Sequence, residues 1–138
     1  MKALLDTCVV IDLLQKREPF FESSRKLFLC IANKQVEGCI TANSVTDIYY
    51  IMHKYGHSTN VARKSLETLF KLVRIVDTTG TDCRKANLSS IVDYEDAVMI
   101  ETAVRERMDI IVTRNIRDYS NSPIRVFTPE QALENLSF

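Results

Sequence analysis

Glycine is scarce in this 138-residue chain: Gly38, Gly56 and Gly80 are the only three, and none lies in a Gly-rich stretch. The P-loop and the G-x-G-x-x-G dinucleotide fingerprint, which need closely spaced glycines to bring backbone amides against phosphate, are therefore absent. Histidine is scarcer, with only His53 and His57. Their i, i+4 spacing is that of two zinc ligands on one helix, but Gly56 between them ends that helix and no third ligand stands nearby in the sequence. The four cysteines, Cys8, Cys30, Cys39 and Cys83, form no Cys-x-x-Cys pair. Three of them sit in apolar surroundings, as reduced, buried thiols do, against a disulfide framework or a zinc ribbon. No Gly-x-Ser-x-Gly elbow presents a nucleophilic serine. An excess of one charge is missing too: 18 Lys and Arg balance 18 Asp and Glu. That excludes a general polybasic nucleic-acid binder, while leaving room for an enzyme that grips a short stretch of nucleic acid locally. No apolar run approaches a membrane span, and Asp6 falls where a signal peptide needs its apolar segment. The expectation is a soluble, cytoplasmic protein.

What is present is ordinary for a globular domain, with 46% hydrophobic and 26% charged residues. The length predicts one domain over residues 1–138, with a core that needs no staples. Short apolar runs alternate with longer amphipathic ones. Ala3-Leu4-Leu5 is a brief strand that stops at Asp6. Phe20, Ser24, Leu27, Phe28 and Ile31 form a helical stripe with Pro19 suited to its first turn. A strand over 36–41 precedes a helix over 44–55 that stops near Gly56. A second helix over 58–73 carries Ala62, Leu66, Leu69, Phe70 and Val73 on one face. A short strand over 74–77 and a weaker helix over 82–91 follow. Asp93 caps another helix, whose buried side is Ala97, Ile100, Ala103, Val104 and Met108. Ile110-Ile111-Val112 is the uninterrupted β-branched run of a strand buried on both faces. A last strand around 124–127 leads into a helix opened by Thr128-Pro129-Glu130-Gln131, with capping-box spacing and proline at the first helical position. Strands separated by helices imply parallel pairing, so the predicted fold is a three-layer α/β/α sandwich around about five short strands.

In open parallel sheets, sites form beyond the carboxyl ends of the strands. The first strand ends at Asp6, and Ile110-Ile111-Val112 ends in Thr113-Arg114-Asn115 with Asp118 three residues on. Two helix starts supply further acids. Asp47 lies beside Ile48 and one turn before Ile51, and Asp96 precedes Ile100 by four and Ala103 by seven. Each acid has a plainer reading. Asp47 and Asp96 stand three residues after the capping candidates Ser44 and Asp93, as capping-box members do; Asp6 ends a strand, and Asp118 is a solvated loop acid. Convergence favours the functional reading. A parallel sheet brings all four segments to one edge, where gathered carboxylates repel one another and divalent cations with oxygen ligands, Mg²⁺ or Mn²⁺, compensate.

These segments resemble a PIN-domain nuclease, of the kind found as the toxin half of bacterial and archaeal toxin–antitoxin pairs. The matching stretches are Leu4-Leu5-Asp6-Thr7-Cys8-Val9-Val10-Ile11-Asp12-Leu13-Leu14 and Ile40-Thr41-Ala42-Asn43-Ser44-Val45-Thr46-Asp47-Ile48-Tyr49-Tyr50. They continue with Asp93-Tyr94-Glu95-Asp96-Ala97 and Ile111-Val112-Thr113-Arg114-Asn115-Ile116-Arg117-Asp118-Tyr119. They stand in the family's order and span residues 4 to 119. The resemblance implies divalent-metal-dependent hydrolysis of RNA, with Asp6, Asp47, Asp96 and Asp118 as the metal-binding acids. Asp47 replaces the family's usual Glu and is one methylene shorter. Asn115 occupies a position where many members carry Asp, and is assigned as a neutral partner to Asp118. Thr113 is assigned to orient the first acid or a metal-bound water. Homodimers and a separate protein antitoxin are further implications.

Such a site holds one or two cations: one activates water and a second, where present, stabilises the departing oxygen, so no histidine base is required. Arg114 and Arg117, in the same loop as Asp118, are the expected phosphate-binding residues, since guanidinium grips phosphate oxygens bidentately; the alternative is a pair of solvated charges. Arg105 through Arg107 fit a solvated helix face. Tyr94 and Tyr119 read either as base-stacking platforms or as core and rim aromatics. The block Ile48–Met52 reads as a contact for a second subunit or inhibitory partner, or as a helix wedged between sheet and neighbour. Two other functions compete: a degenerate PIN-like domain that binds RNA or protein without cutting, and a receiver-type signalling module with Asp77 as phosphoacceptor. The receiver lacks paired acids after its first strand, and Thr113-Arg114 stands where its lysine belongs.

Overall fold

The structure, a computed structural model, describes residues 1–136; the final two residues of the predicted domain, 137–138, lie outside the described residues. Five strands form one sheet: β1 (Lys2–Leu5), β2 (Glu37–Thr41), β3 (Arg74–Val76), β4 (Ile110–Val112) and β5 (Arg125–Phe127). Every neighbouring pair is parallel, in the order β3-β2-β1-β4-β5. The central strand is the N-terminal one, and Leu4 pairs with Cys39 on one side and Ile111 on the other. The connections are made by α1 (Thr7–Leu14), α2 (Phe21–Ala32), α3 (Ala42–Lys54), α4 (Thr59–Leu72), α5 (Gly80–Asn87), α6 (Tyr94–Arg105) and a 3-10 turn, Ile116–Tyr119. Helix α7 (Pro129–Asn135) closes the described chain.

Alternation along each strand divides the core into two sides. Leu5, Ile40, Ile110 and Val112 point to one side, against Val9 and Val10 of α1, Leu27 and Phe28 of α2, and Ile48 and Met52 of α3. Leu4, Cys39, Val76 and Ile111 point to the other, against Met99, Ile100 and Ala103 of α6. Helix α5 packs beside α6 through Ala86, Ala97 and Val98. Both faces of the central strands β1 and β4 are covered, which is why Ala3–Leu5 and Ile110–Val112 read as unbroken apolar runs. Helix α2 lies close over β2 at Gly38, where an added Cβ would stand 2.6 Å from the end of the Ile31 side chain. Gly56 adopts φ +99 just past α3, a conformation suited to glycine, and so terminates that helix. No described helix is long and apolar enough to cross a membrane, and the four cysteines are free thiols.

Several expectations are corrected. Helix α3 starts at Ala42, directly after β2, because Thr41 rather than Ser44 caps it: the Thr41 hydroxyl accepts from the Ser44 amide at 3.0 Å. Asp47 is therefore no capping-box member. Helix α5 runs Gly80–Asn87, not 82–91, since Thr79 and Asp82 form a reciprocal capping box that sets its start earlier. Pro19 precedes α2, which begins at Phe21. Phe70 and Val104, expected inside, are exposed, and Thr102 is buried on α6 instead. Arg105 is not simply solvated: its guanidinium binds Asp82, which is 1% exposed.

Candidate active site

Three helices start at the carboxyl edge of the sheet, and the acids come with them. Asp6 is the N-cap residue of α1, with φ −67 and ψ 150, yet its carboxylate makes no capping hydrogen bond. An aspartate at this position ordinarily turns back on its own helix, which stabilises the helix by about 1 kcal/mol. Here the side chain is drawn across the sheet instead. Its backbone N–H donates to the Val112 carbonyl at 2.9 Å, which locks the end of β1 to the end of β4. Its Oδ2 accepts from the Thr113 hydroxyl at 2.7 Å and from the Tyr119 hydroxyl at 3.3 Å.

Asp96 reaches the same place from the other layer. Asp93 caps α6 by accepting from the Asp96 amide at 3.0 Å, so the capping role falls to Asp93 and the Asp96 carboxylate is free for other partners. Its Oδ1 accepts from Tyr119 at 3.0 Å. Tyr119 is 2% exposed, and its hydroxyl also lies 3.5 Å from the Met99 sulfur. Burial and the two carboxylates push the Tyr119 phenol above its ordinary range, so it remains a proton donor. Asp6 and Asp96, ninety residues apart in the chain, thus share one hydroxyl. Burial pushes the Asp96 carboxyl up to about 6; the charges of Asp6, Asp93 and Asp118 act in the same direction, and the Tyr119 hydrogen bond opposes them.

A second pair stands beside the first. Asp47, half-buried on α3, shares a hydrogen bond with Glu95 at the start of α6. That bond, together with burial and the charges of Asp47, Asp93 and Asp6, raises the Glu95 carboxyl to about 7. Thr7, Asp47, Tyr50, Ile51 and Glu95 line a recess of about 300 Å³. Hydroxyls brace its wall: Thr7 donates to Ser44 Oγ at 3.1 Å, and Thr41 does so at 3.0 Å. Glu95 is a site residue that sequence reasoning passed over. The available signal was its position beside Asp96, on a turn already known to face the acids.

The loop after β4 divides its residues. Thr113 is fully buried, donates to Asp6, accepts from the Asn115 amide at 3.1 Å, and lies 3.8 Å from the Cys8 sulfur. Burial and the Asp6 charge push the Cys8 thiol up to about 11, so it is no ready nucleophile. The Asn115 and Asp118 side chains are exposed and make no hydrogen bond to the other acids among the described residues. Asp118 stands near enough for its charge to act on Asp96. Together with Arg117, Val92 and Asp93 it lines a recess of about 440 Å³ next to the acids.

Arg114, expected to hold phosphate, is turned inward. Its Nε stands 2.6 Å from Oδ2 of Asp12, its NH2 donates to Oδ1 at 3.2 Å, and its guanidinium lies 4.2 Å from the Phe20 ring centre. Asp12 is 0% exposed; burial pushes its carboxyl up, and the arginine draws it back down. The pair pins the loop to α1. Tyr94 is likewise committed, donating to the Cys83 carbonyl at 2.8 Å. On α3, Ile48 and Met52 are buried while Tyr50 is 63% exposed.

The donor set suits a hard divalent ion. Asp6 and Asp96 each keep one oxygen without a hydrogen bond among the described residues, beside other carboxylates whose mutual repulsion a cation relieves. No three His, Cys, Asp or Glu side chains among the described residues form a ready-made cage. The acids stand as two pairs, and Mg²⁺ commonly takes one or two carboxylates and completes its shell with water.

A family model described as the PIN domain matches residues 2–117. The chain belongs to the PIN domain family. Similar solved structures share this PIN fold over most of their length. FitAcB from Neisseria gonorrhoeae is 18% identical with a TM-score of 0.73, covering 93% of this chain and 98% of that one. VapBC2 from Rickettsia felis, solved with a DNA fragment from its promoter, is 16% identical with a TM-score of 0.69, covering 92% and 97%. VapC20 from Mycobacterium tuberculosis, a toxin that cleaves the sarcin-ricin loop, is 11% identical with a TM-score of 0.63, covering 79% and 86%. A sequence comparison with curated proteins finds no match. At these identities the likeness establishes the fold of this PIN domain alone.

Proposed function

We propose that this PIN domain is a ribonuclease that hydrolyses RNA phosphodiester bonds with Mg²⁺ or Mn²⁺, and that it is the toxin of a toxin–antitoxin pair. The observation that carries the proposal is the sharing of one buried hydroxyl by Asp6 and Asp96 at the carboxyl edge of the sheet. Asp6 and Asp96 would hold the cation. Asp47, paired with Glu95, and Asp118 would complete the acidic set around it. A cation bound there supplies Lewis-acid activation of water and charge stabilisation at the departing oxygen. Thr113 orients Asp6. Arg117, at the recess beside Asp118, is the cation placed to meet a substrate phosphate, since Arg114 is committed to Asp12. The toxin assignment is supported by the shared fold with FitAcB, VapBC2 and VapC20. A protein antitoxin is the proposed partner, and a homodimer through the exposed side of α3 the proposed assembly.

The test is cleavage of structured RNA by the purified chain with Mn²⁺, with Mg²⁺ and with EDTA. Asp6→Asn and Asp96→Asn are expected to abolish cutting while the circular dichroism spectrum stays unchanged, and Arg117→Ala to raise KM with little change in kcat. Cleavage that persists in EDTA with both Asp→Asn substitutions present removes the proposal.

The split of the acids into two pairs, with Asn115 and Asp118 exposed, favours one other reading: a PIN domain that binds RNA or protein without cutting. Saturable Mn²⁺ binding separates the two, since the non-cutting domain has no requirement for it.

A further inference from the structure

We infer that Tyr119 is a positioning residue that aims both principal acids at the cation, an inference that rests on the metal-dependent reading above. Its hydroxyl lies 3.0 Å from Asp96 Oδ1 and 3.3 Å from Asp6 Oδ2. With Thr113 donating to the same Asp6 oxygen, one oxygen of each carboxylate is held against the protein. That leaves Oδ1 of Asp6 and Oδ2 of Asp96 as the oxygens open to a ligand.

Several features make this an orienting device. The residue is 2% exposed, so the ring is fixed by packing and the hydroxyl cannot follow a carboxylate that swings away. It sits at the end of the Ile116–Tyr119 turn, whose start is tied back to Thr113 through the Asn115 amide. The same short segment therefore supplies Thr113 to one acid and Tyr119 to both. A phenol is also the right donor electrically: it bridges two carboxylates without adding a positive charge that would compete with the cation. Hydrogen bonds that orient metal-binding carboxylates typically matter by about 10–100-fold in metal affinity or activity.

The test is Mn²⁺ binding to the full chain without RNA, read from the electron paramagnetic resonance of free Mn²⁺, for wild type, Tyr119→Phe and Met99→Leu. Phenylalanine keeps the ring volume, and thermal melting checks that the variant folds. Met99→Leu removes the other neighbour of the hydroxyl while leaving both carboxylate bonds, and it controls for simple repacking. The expected result is affinity at least about 10-fold weaker in Tyr119→Phe and unchanged in Met99→Leu, with kcat for RNA falling in parallel and KM retained. Equal Mn²⁺ affinity in wild type and Tyr119→Phe, or an equal loss in Met99→Leu, overturns the role of Tyr119 and leaves the metal-dependent reading standing. Absence of saturable Mn²⁺ binding in the wild type overturns both.

Discussion

The hydroxyl of Thr113 donates to Oδ2 of Asp6 at 2.7 Å, joining the residue after β4 to the residue after β1. The two strands are neighbours in the sheet, and the bond continues their pairing by one side-chain step beyond the last backbone contact. Thr113→Val preserves shape and deletes this donor, while also leaving the Asn115 amide without its acceptor. The expected cost is about 1 kcal/mol of stability, from the loss of two part-buried hydrogen bonds, and a fall in kcat of at least about 10-fold. Thr113→Ser restores most of both. Urea unfolding and single-turnover cleavage measure the two effects separately.

The raised carboxyls give the metal-free protein a pH dependence whose sign is fixed. Burial raises the Asp96 carboxyl to about 6 and the Asp47 neighbour raises that of Glu95 to about 7, so between about pH 4 and 7 these two groups bind more protons in the folded chain than in the unfolded one. Stability from these groups is therefore fully present below the unfolded values and lost as pH rises through the folded ones. Asp12 shifts in the same direction. Calorimetry in EDTA should show a higher Tm at pH 5 than at pH 7.5, with the difference reduced in Asp96→Asn and Glu95→Gln. Saturating Mn²⁺ should raise Tm at pH 7.5 more than at pH 5, and cleavage should rise with pH across the same window as protons leave the acids. A Tm in EDTA that climbs steadily from pH 5 to 7.5 contradicts the assignment.

Breaking the Asp12–Arg114 pair should be costly. Asp12 is 0% exposed and its partner's side chain 24% exposed, so Asp12→Ala strands a guanidinium that is already stacked on Phe20. The expected loss is about 3–5 kcal/mol, while the double replacement Asp12→Leu with Arg114→Met stays near the wild-type value. Chemical denaturation of the three proteins decides this. A loss below 1 kcal/mol in Asp12→Ala would mean that the pair behaves as a surface contact and does not pin the loop.

Much of the architecture was legible from apolar spacing. Ala3-Leu4-Leu5 read as a brief strand and Ile110-Ile111-Val112 as one buried on both faces, and they are the adjacent β1 and β4. Asp93 read as a cap and is one, because a cap depends on bonds within a few residues. Ser44 misled for a similar reason. It has the right chemistry for a cap, but Thr41, three residues earlier at the end of β2, caps the helix first by accepting from the Ser44 amide. Arg114 and Arg105 misled more deeply. A charged residue in a loop or on a helix face has no local feature that discloses a buried acid waiting in another element, as Asp12 and Asp82 do.

The order of apolar and polar residues, acting over a few positions at a time, was enough to determine a parallel α/β sandwich and to bring Asp6, Asp47, Asp96 and the loop after β4 to one edge. Which oxygen each acid turns outward, that Glu95 joins Asp47, that Tyr119 stands between Asp6 and Asp96, and that Arg114 faces inward were decided only by tertiary packing. The physical reason is range. Periodicity and capping are set by neighbours along the chain, whereas hydrogen bonds and ion pairs between buried side chains depend on distances of a few ångströms between segments that only the completed fold brings together.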